Sequence, residues 1–164
     1  IGPIIQNIQN PSVAALLLGK ANHAHELEIG LTLLSGSTLP PYSAYLSTNE
    51  LVTVLGNLLG NAIEAVNAQG SGNSRSVAVQ ITEDEKSLLI VVSDTGIGIP
   101  QEMLSHIYDF GFSTKAAEGR GFGMSMIQNI VVRHDGTIDV DTEQGAGTTF
   151  TLIFQIKRQK EGSQ

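Results

Sequence analysis

At 164 residues and 17.4 kDa, with 41% hydrophobic residues, the chain is sized for one domain with a sizeable core. Sixteen acidic against nine basic residues give a net charge of −7, which argues against a nucleic-acid binder because that needs a basic face. A phosphate ligand held by backbone N–H groups remains compatible with such a balance. The absence of cysteine excludes disulfide scaffolds, thiolate metal sites and cysteine catalysis.

The chain opens Ile1-Gly2-Pro3 without an initiator Met, so it is expected to be a piece excised from a longer protein. No signal peptide is visible, and the longest uninterrupted apolar run, Val13 to Leu18, is far too short for a bilayer. Residues 1–9 read as the end of an earlier helix. Asn10-Pro11-Ser12 reads as an N-cap with proline at the first helical position, opening a helix to about Leu27 with Val13, Leu16, Leu17 and Leu18 apolar. Glu28 to Leu34 reads as a strand, and Ser35 to Ser47 as a loop marked by Gly36, Pro40 and Pro41. The strongest helix spans roughly 48–68. Ser47 and Glu50 form a capping box, and Leu51, Val54, Leu55, Leu58, Leu59, Ala62 and Val66 make one apolar stripe.

Ala68 to Ser74 is a polar, glycine-containing exit. Val77–Thr82 and Leu88–Ser93 flank the turn Glu83-Asp84-Glu85-Lys86, which predicts a hairpin. Pro100 to Tyr108 reads as a short helix, Asp109 to Gly121 as a loop, and Phe122 to His134 as a helix with Met126, Ile127, Ile130 and Val131 facing inward. Thr137–Asp141 and Thr148–Ile156 read as strands, and the tail from Lys157 is polar. Hairpins rather than repeated βαβ units favour an α+β class, with helices layered on one face of a mixed sheet.

Five stretches carry chemistry. Asn57, Asn61 and Glu64 share one helix face beside the apolar stripe, and amide oxygens suit Mg²⁺, which keeps a few protein oxygens plus waters and phosphates. A solvated polar face is the plainer explanation. Asp94-Thr95-Gly96-Ile97-Gly98-Ile99-Pro100 follows a strand directly. A carboxylate there accepts a hydrogen bond from an exocyclic amine, and the glycines admit a planar ligand; an ordinary turn would look the same. Gly119-Arg120-Gly121-Phe122-Gly123-Met124 leads into a helix N-terminus, where free N–H groups and the helix dipole favour an anion, with Lys115 and Arg120 adding charge. Phe110-Gly111-Phe112-Ser113-Thr114-Lys115 fits either a lid anchor or core packing. Gly145-Ala146-Gly147-Thr148-Thr149-Phe150 is a turn into the last strand. Neither a Rossmann fingerprint nor a Walker A loop is present.

The order of these motifs, over residues 45 to 156, resembles the ATP-binding domain of sensor histidine kinases, the Bergerat fold shared with gyrase and MutL ATPases. Asn10-Pro11-Ser12-Val13-Ala14-Ala15-Leu16-Leu17-Leu18-Gly19-Lys20 and Asn61-Ala62-Ile63-Glu64-Ala65 look like the citrate and C4-dicarboxylate type. The resemblance implies an α+β, two-layer α/β sandwich with a mixed, mostly antiparallel sheet, helices on one face and a mobile ATP lid at about 109–121. It implies ATP and Mg²⁺ as ligands. Asn61 would ligate Mg²⁺, and Asn57 would contact phosphate or metal nearby. Asp94 would accept from the adenine amine, with Gly96 and Gly98 shaping the pocket and Thr148 supporting it. Lys115 and Arg120 would approach the β- and γ-phosphates, and backbone N–H groups near Gly121 and Gly123 would hold phosphate oxygens. Ile99, Thr114, Gly119 and Phe122 would complete the nucleotide site.

Two departures stand out. Gly60 occupies a position where many family members carry an acidic residue. Asn57 replaces the catalytic Glu of gyrase-type ATPases, which shifts the expectation from hydrolase to kinase. Among His23, His25, His106 and His134, only His25-Glu26 resembles a phosphoacceptor pair, and Leu27-Glu28 does not continue that motif; His25 and His134 read as helix-end residues. The expected organisation is therefore 1–27 as the remnant of a dimerisation helix and linker, 28–157 as the catalytic domain, and 158–164 as a tail. The expected partners are ATP, the protein's own phosphoacceptor helix and a response regulator, with no nucleic acid. This piece would be monomeric and cytoplasmic, and its parent a homodimeric membrane sensor. The alternatives are an anti-sigma-type serine kinase of the same fold and a degenerate interaction module.

Overall fold

The computed structural model describes residues 2–70, 74–109 and 123–156. Helix α1 spans Pro11–Glu26, α2 Thr48–Gln69 and α3 Gly123–Arg133; the strands are β1 Gly30–Leu33, β2 Ser76–Glu83, β3 Ser87–Asp94, β4 Thr137–Glu143 and β5 Gly147–Gln155. Two 3-10 helices, Gly2–Asn7 and Gln101–His106, complete the described elements. The sheet runs β1-β2-β3-β5-β4, with β1 parallel to β2 and every other pair antiparallel. Alternate residues of β2, β3 and β5 are buried, among them Val77, Val79, Ile81, Leu88, Ile90, Val92, Phe150, Leu152 and Phe154. These side chains share one face, since strand side chains alternate, and that face receives the helices. The expected two-layer α+β architecture is what forms.

Helix α2 is the centre of the helical layer. Its capping box is intact: Ser47 Oγ accepts from Glu50 N at 3.1 Å, and Ser47 N donates to Glu50 Oε1 at 3.0 Å. Its stripe of Leu51, Val54, Leu55, Leu58, Leu59, Ala62, Ile63 and Val66 is buried against β2, β3 and β5. Each buried leucine contributes about 1.5–3 kcal/mol to the core. By length and a mean hydropathy of 1.2, α2 alone among the described helices could cross a membrane, although the sequence shows no long uninterrupted apolar run. Here that apolarity is spent on the sheet.

Helix α1 packs on α2 and β1, and α3 on α2 and β4. Asn10 fixes the start of α1 twice over. Its Oδ1 accepts from Ser12 N and Val13 N at 3.1 and 3.2 Å, while its Nδ2 donates to Thr48 Oγ1 at 3.0 Å. The N-cap of α1 is thus tied to the first residue of α2.

Four sequence expectations are corrected. Residues 2–7 form a 3-10 turn rather than the end of an α-helix, and Gln101–His106 is likewise 3-10. The first strand is shorter than Glu28–Leu34, because Glu28 has φ 60, a left-handed turn conformation incompatible with a strand. Met126 is 45% exposed: the buried stripe of α3 is Met124, Ile127, Ile130 and Val131, and Met126 lies off its phase. His134 stands at the end of α3, as expected, and its Nε2 meets Glu50 Oε2 on α2 at 2.8 Å.

Candidate nucleotide site

Strand β3 ends on Asp94, which is only 9% exposed and pairs across the sheet with Thr148 on β5. Burial pushes its carboxyl up to about 6, and the backbone amides of Gly96 and Thr148 only partly offset this. Gly96 N donates to Asp94 Oδ1 at 2.8 Å. A carboxylate held in an apolar recess at a cost points to a ligand that rewards it.

The segment after Asp94 is stitched on both sides. Ile97 N donates to Ala65 O of α2 at 3.2 Å, Gly145 N donates to Ile97 O at 2.7 Å, and Ile99 N donates to Thr142 Oγ1 at 2.9 Å. Two glycines make this passage possible. A Cβ on Gly96 would fall 2.5 Å from the carbonyl carbon of Ala65, and Gly98 sits at φ +74 with its Cβ position against Glu143 O.

These elements frame a cleft of about 290 Å³. Its walls are Leu58, Asn61, Ala62, Glu64, Ala65 and Ala68 of α2, Asp94 and the 97–100 segment, Met103 and Ile107, Gly123 and Met124 of α3, and Gln144, Thr148 and Phe150. The lining is mainly apolar, with Asp94, Thr148, Asn61, Glu64 and Gln144 as polar groups, which suits a flat heteroaromatic ligand with a polar extension. Ala62, Ala65 and Ala68 keep the α2 wall low enough for such a ring.

Of the residues singled out in the sequence, Asn61, Asp94, Gly98, Ile99, Gly123 and Thr148 come together on the cleft wall. Gly96 lies behind it, against α2. Asn57 stands one turn before Asn61, at the α2–α3 contact. Its Nδ2 donates to Thr53 O at 2.7 Å, and its Oδ1 lies 2.6 Å from where a Gly123 Cβ would be. Thr114, Lys115, Gly119, Arg120, Gly121, Phe122 and the expected lid beyond Asp109 lie outside the described residues. His25 is exposed in the last turn of α1.

The sequence reading missed Thr142. Its hydroxyl lies 2.8 Å from that of Thr148 and accepts from Ile99 N, so it joins the Asp94 end of the cleft to the segment that shapes it. The Gly145-x-Gly147 turn could have revealed this, because it fixes the register that sets Thr142 opposite Thr148. No group of three or more His, Cys, Asp or Glu that could hold a metal ion occurs among the described residues.

The comparisons with known proteins agree with this geometry. The chain is 38% identical over 157 residues to a probable C4-dicarboxylate sensor kinase of Halalkalibacterium halodurans, covering 96% of this chain and 29% of that protein. It is 32% identical to the sensor protein CitS of Bacillus subtilis (96% and 28% covered) and 35% identical to the sensor histidine kinase DcuS of Escherichia coli K12 (92% and 27%). It therefore spans under a third of the length of these relatives. The solved structure of the mycobacterial sensor histidine kinase MprB shares the fold, with TM-score 0.65 at 20% identity over 88% of this chain and 93% of that one. Residues 47–158, from the N-cap of α2 past the end of β5, match the family model described as histidine kinase-, DNA gyrase B-, and HSP90-like ATPase, and the chain belongs to that family.

Proposed function

We propose that this chain is the ATP-binding catalytic domain of a sensor histidine kinase of the citrate and C4-dicarboxylate type, acting in two-component signalling. The observation that carries the reading is Asp94: a buried carboxylate at the mouth of an apolar, glycine-shaped cleft, set to accept from an exocyclic amine of adenine. The ring would lie between the alanine wall of α2 and the 97–100 segment, with Thr148 and Thr142 supporting Asp94. The phosphates would extend along α2 towards Asn61 and Asn57, with Lys115 and Arg120 supplying charge and the amides around Gly121 and Gly123 holding oxygens.

Asn61 fits a Mg²⁺ ion carried in on the phosphates, because its amide, a hard oxygen donor, is on the cleft wall. When bound, that ion supplies neutralisation of phosphate charge. The domain's own contribution is positioning, which is most of what phosphoryl transfer requires. The γ-phosphoryl would pass to an imidazole nitrogen on an upstream dimerisation helix, with a P–N bond formed, the β–γ bridging P–O bond broken and ADP released. It would then pass to an aspartate of a response regulator. Asn57 in place of a water-activating Glu favours transfer over hydrolysis. In the parent, residues 1–27 would link the dimerisation helix to this domain, on the cytoplasmic side of a membrane sensor.

The test is calorimetric titration of the chain with a non-hydrolysable ATP analogue, with and without Mg²⁺, beside Asn61→Ala and Asp94→Asn. Mg²⁺-dependent binding, abolished in the first variant and weakened in the second, is the expected result. No binding by the parent chain under either condition would overturn the reading.

A further inference from the structure

Lys20 belongs to α1, outside every motif that defines the site, yet its ammonium reaches α2. Its Nζ lies 3.6 Å from the point a Cβ on Gly60 would occupy. Gly60 lies one turn from Asn57 and one turn from Glu64 on α2, on the edge of the helix that meets α1. A Cβ at Gly56, one turn earlier, would lie 3.9 Å from Leu16 Cδ1, so α1 runs along the Gly56–Gly60 edge of α2. The position of α1 is fixed independently by the Asn10–Thr48 tie.

Lys20 makes no ion pair among the described residues. The other described lysines and arginines are placed elsewhere. Arg75 donates to the carbonyls of Leu27 and Gly70, Arg133 pairs with Glu50, and Lys86 stands in the β2–β3 turn. Lys20 is thus the described cation beside Gly60, one turn from Asn57 and Glu64.

Direction along α2 says what it would meet. Asp94 and its segment bind α2 at Ala65, and Gly60 lies five residues earlier, about 7.5 Å along the axis at 1.5 Å per residue. A nucleotide whose base sits at Asp94 extends its phosphates toward Asn61 and Gly60, with the terminal phosphate farthest from the base.

We propose that Lys20 is a nucleotide-binding residue that recognises the terminal phosphate of the triphosphate and so favours ATP over ADP. This rests on the nucleotide-site reading above and adds to it a residue from a helix outside the matched segment. A long, flexible lysine suits a phosphate that must later leave, because it contributes a point charge without bidentate clamping.

The experiment is titration of the chain, Lys20→Gln and Lys20→Arg with Mg²⁺ and either a non-hydrolysable ATP analogue or ADP, with melting temperature recorded for each. Lys20→Gln is expected to weaken the triphosphate by roughly fivefold or more while ADP changes less than twofold, and Lys20→Arg to recover most of the preference. Unchanged affinities in Lys20→Gln, or an equal loss for both nucleotides, overturn the assignment of Lys20 while leaving the site itself standing. Failure of the unsubstituted chain to bind either nucleotide overturns the underlying reading and this inference with it.

Discussion

Asp94→Asn should make the nucleotide-free protein more stable at neutral pH while impairing its ligand binding. The carboxyl is raised from 3.8 to about 6 by burial. A shift of about two units at 1.36 kcal/mol each corresponds to roughly 3 kcal/mol of disfavoured ionisation. Because the folded value lies above the unfolded one, this group's contribution is fully favourable below about pH 4 and is lost as pH rises through about 6. The neutral amide escapes that loss, and its Oδ1 can still accept from Gly96 N. Urea unfolding at pH 7.5 should therefore show Asp94→Asn more stable by up to about 3 kcal/mol, a midpoint shift near 1.5 M for a slope of about 2 kcal/mol/M. At pH 4 the two proteins should unfold together. Nucleotide affinity should fall about tenfold or more in the variant, and in the parent it should decline as pH drops below about 6. A variant no more stable than the parent at pH 7.5, or a gap of equal size at both pH values, would refute the reasoning.

Two glycine substitutions should move stability in opposite directions. Gly96→Ala drives a Cβ into the backbone of Ala65 and should cost about 1–3 kcal/mol or more, with nucleotide affinity lost as the 97–100 segment shifts; Gly19→Ala, mid-helix in α1 with nothing within 4 Å, should gain about 0.5–1 kcal/mol by thermal unfolding. Glu50→Ala removes half of the α2 capping box and the bonds to His134 and Arg133, and should cost about 1–2 kcal/mol. Burial pushes the Glu50 carboxyl up, but the Ser47 amide and His134 outweigh it and hold it below its ordinary value. That stabilisation is present above the usual carboxylate range and is lost as pH falls below it, so the gap between parent and Glu50→Ala should close in acid, measured by urea unfolding at pH 7 and pH 3.

What was legible in the sequence was what local chemistry decides. The α2 helix announced itself through Ser47, Glu50 and a clean stripe, and Asp94 through a strand that stops at a carboxylate before two glycines. The failures are failures of phase and of distance. Met126 reads as inward because methionine is apolar, whereas its neighbours Met124, Ile127 and Val131 set a stripe that leaves it outside. Glu28 reads as strand because nothing local flags a left-handed residue there. Thr142 is an unremarkable strand threonine until the register sets its hydroxyl beside Thr148. Lys20 is invisible as a site residue in one dimension, since its meaning depends on how α1 crosses α2.

The two ends of the cleft divide recognition between different kinds of energy. At the proposed base end every group is fixed by backbone: Asp94 by β3, Thr148 and Thr142 by the β4–β5 register, and Ile97 by hydrogen bonds on both sides. An acceptor held rigid and dry discriminates strongly, because a ligand lacking the matching donor leaves a buried carboxylate unpaired. At the other end, Asn61 lies on a helix face and Lys20 on a flexible stem, so the proposed phosphate recognition there would make little geometric demand. Selectivity for the base should therefore respond to Asp94 and hardly to salt, while selectivity for the number of phosphates should respond to Lys20 and weaken as ionic strength rises.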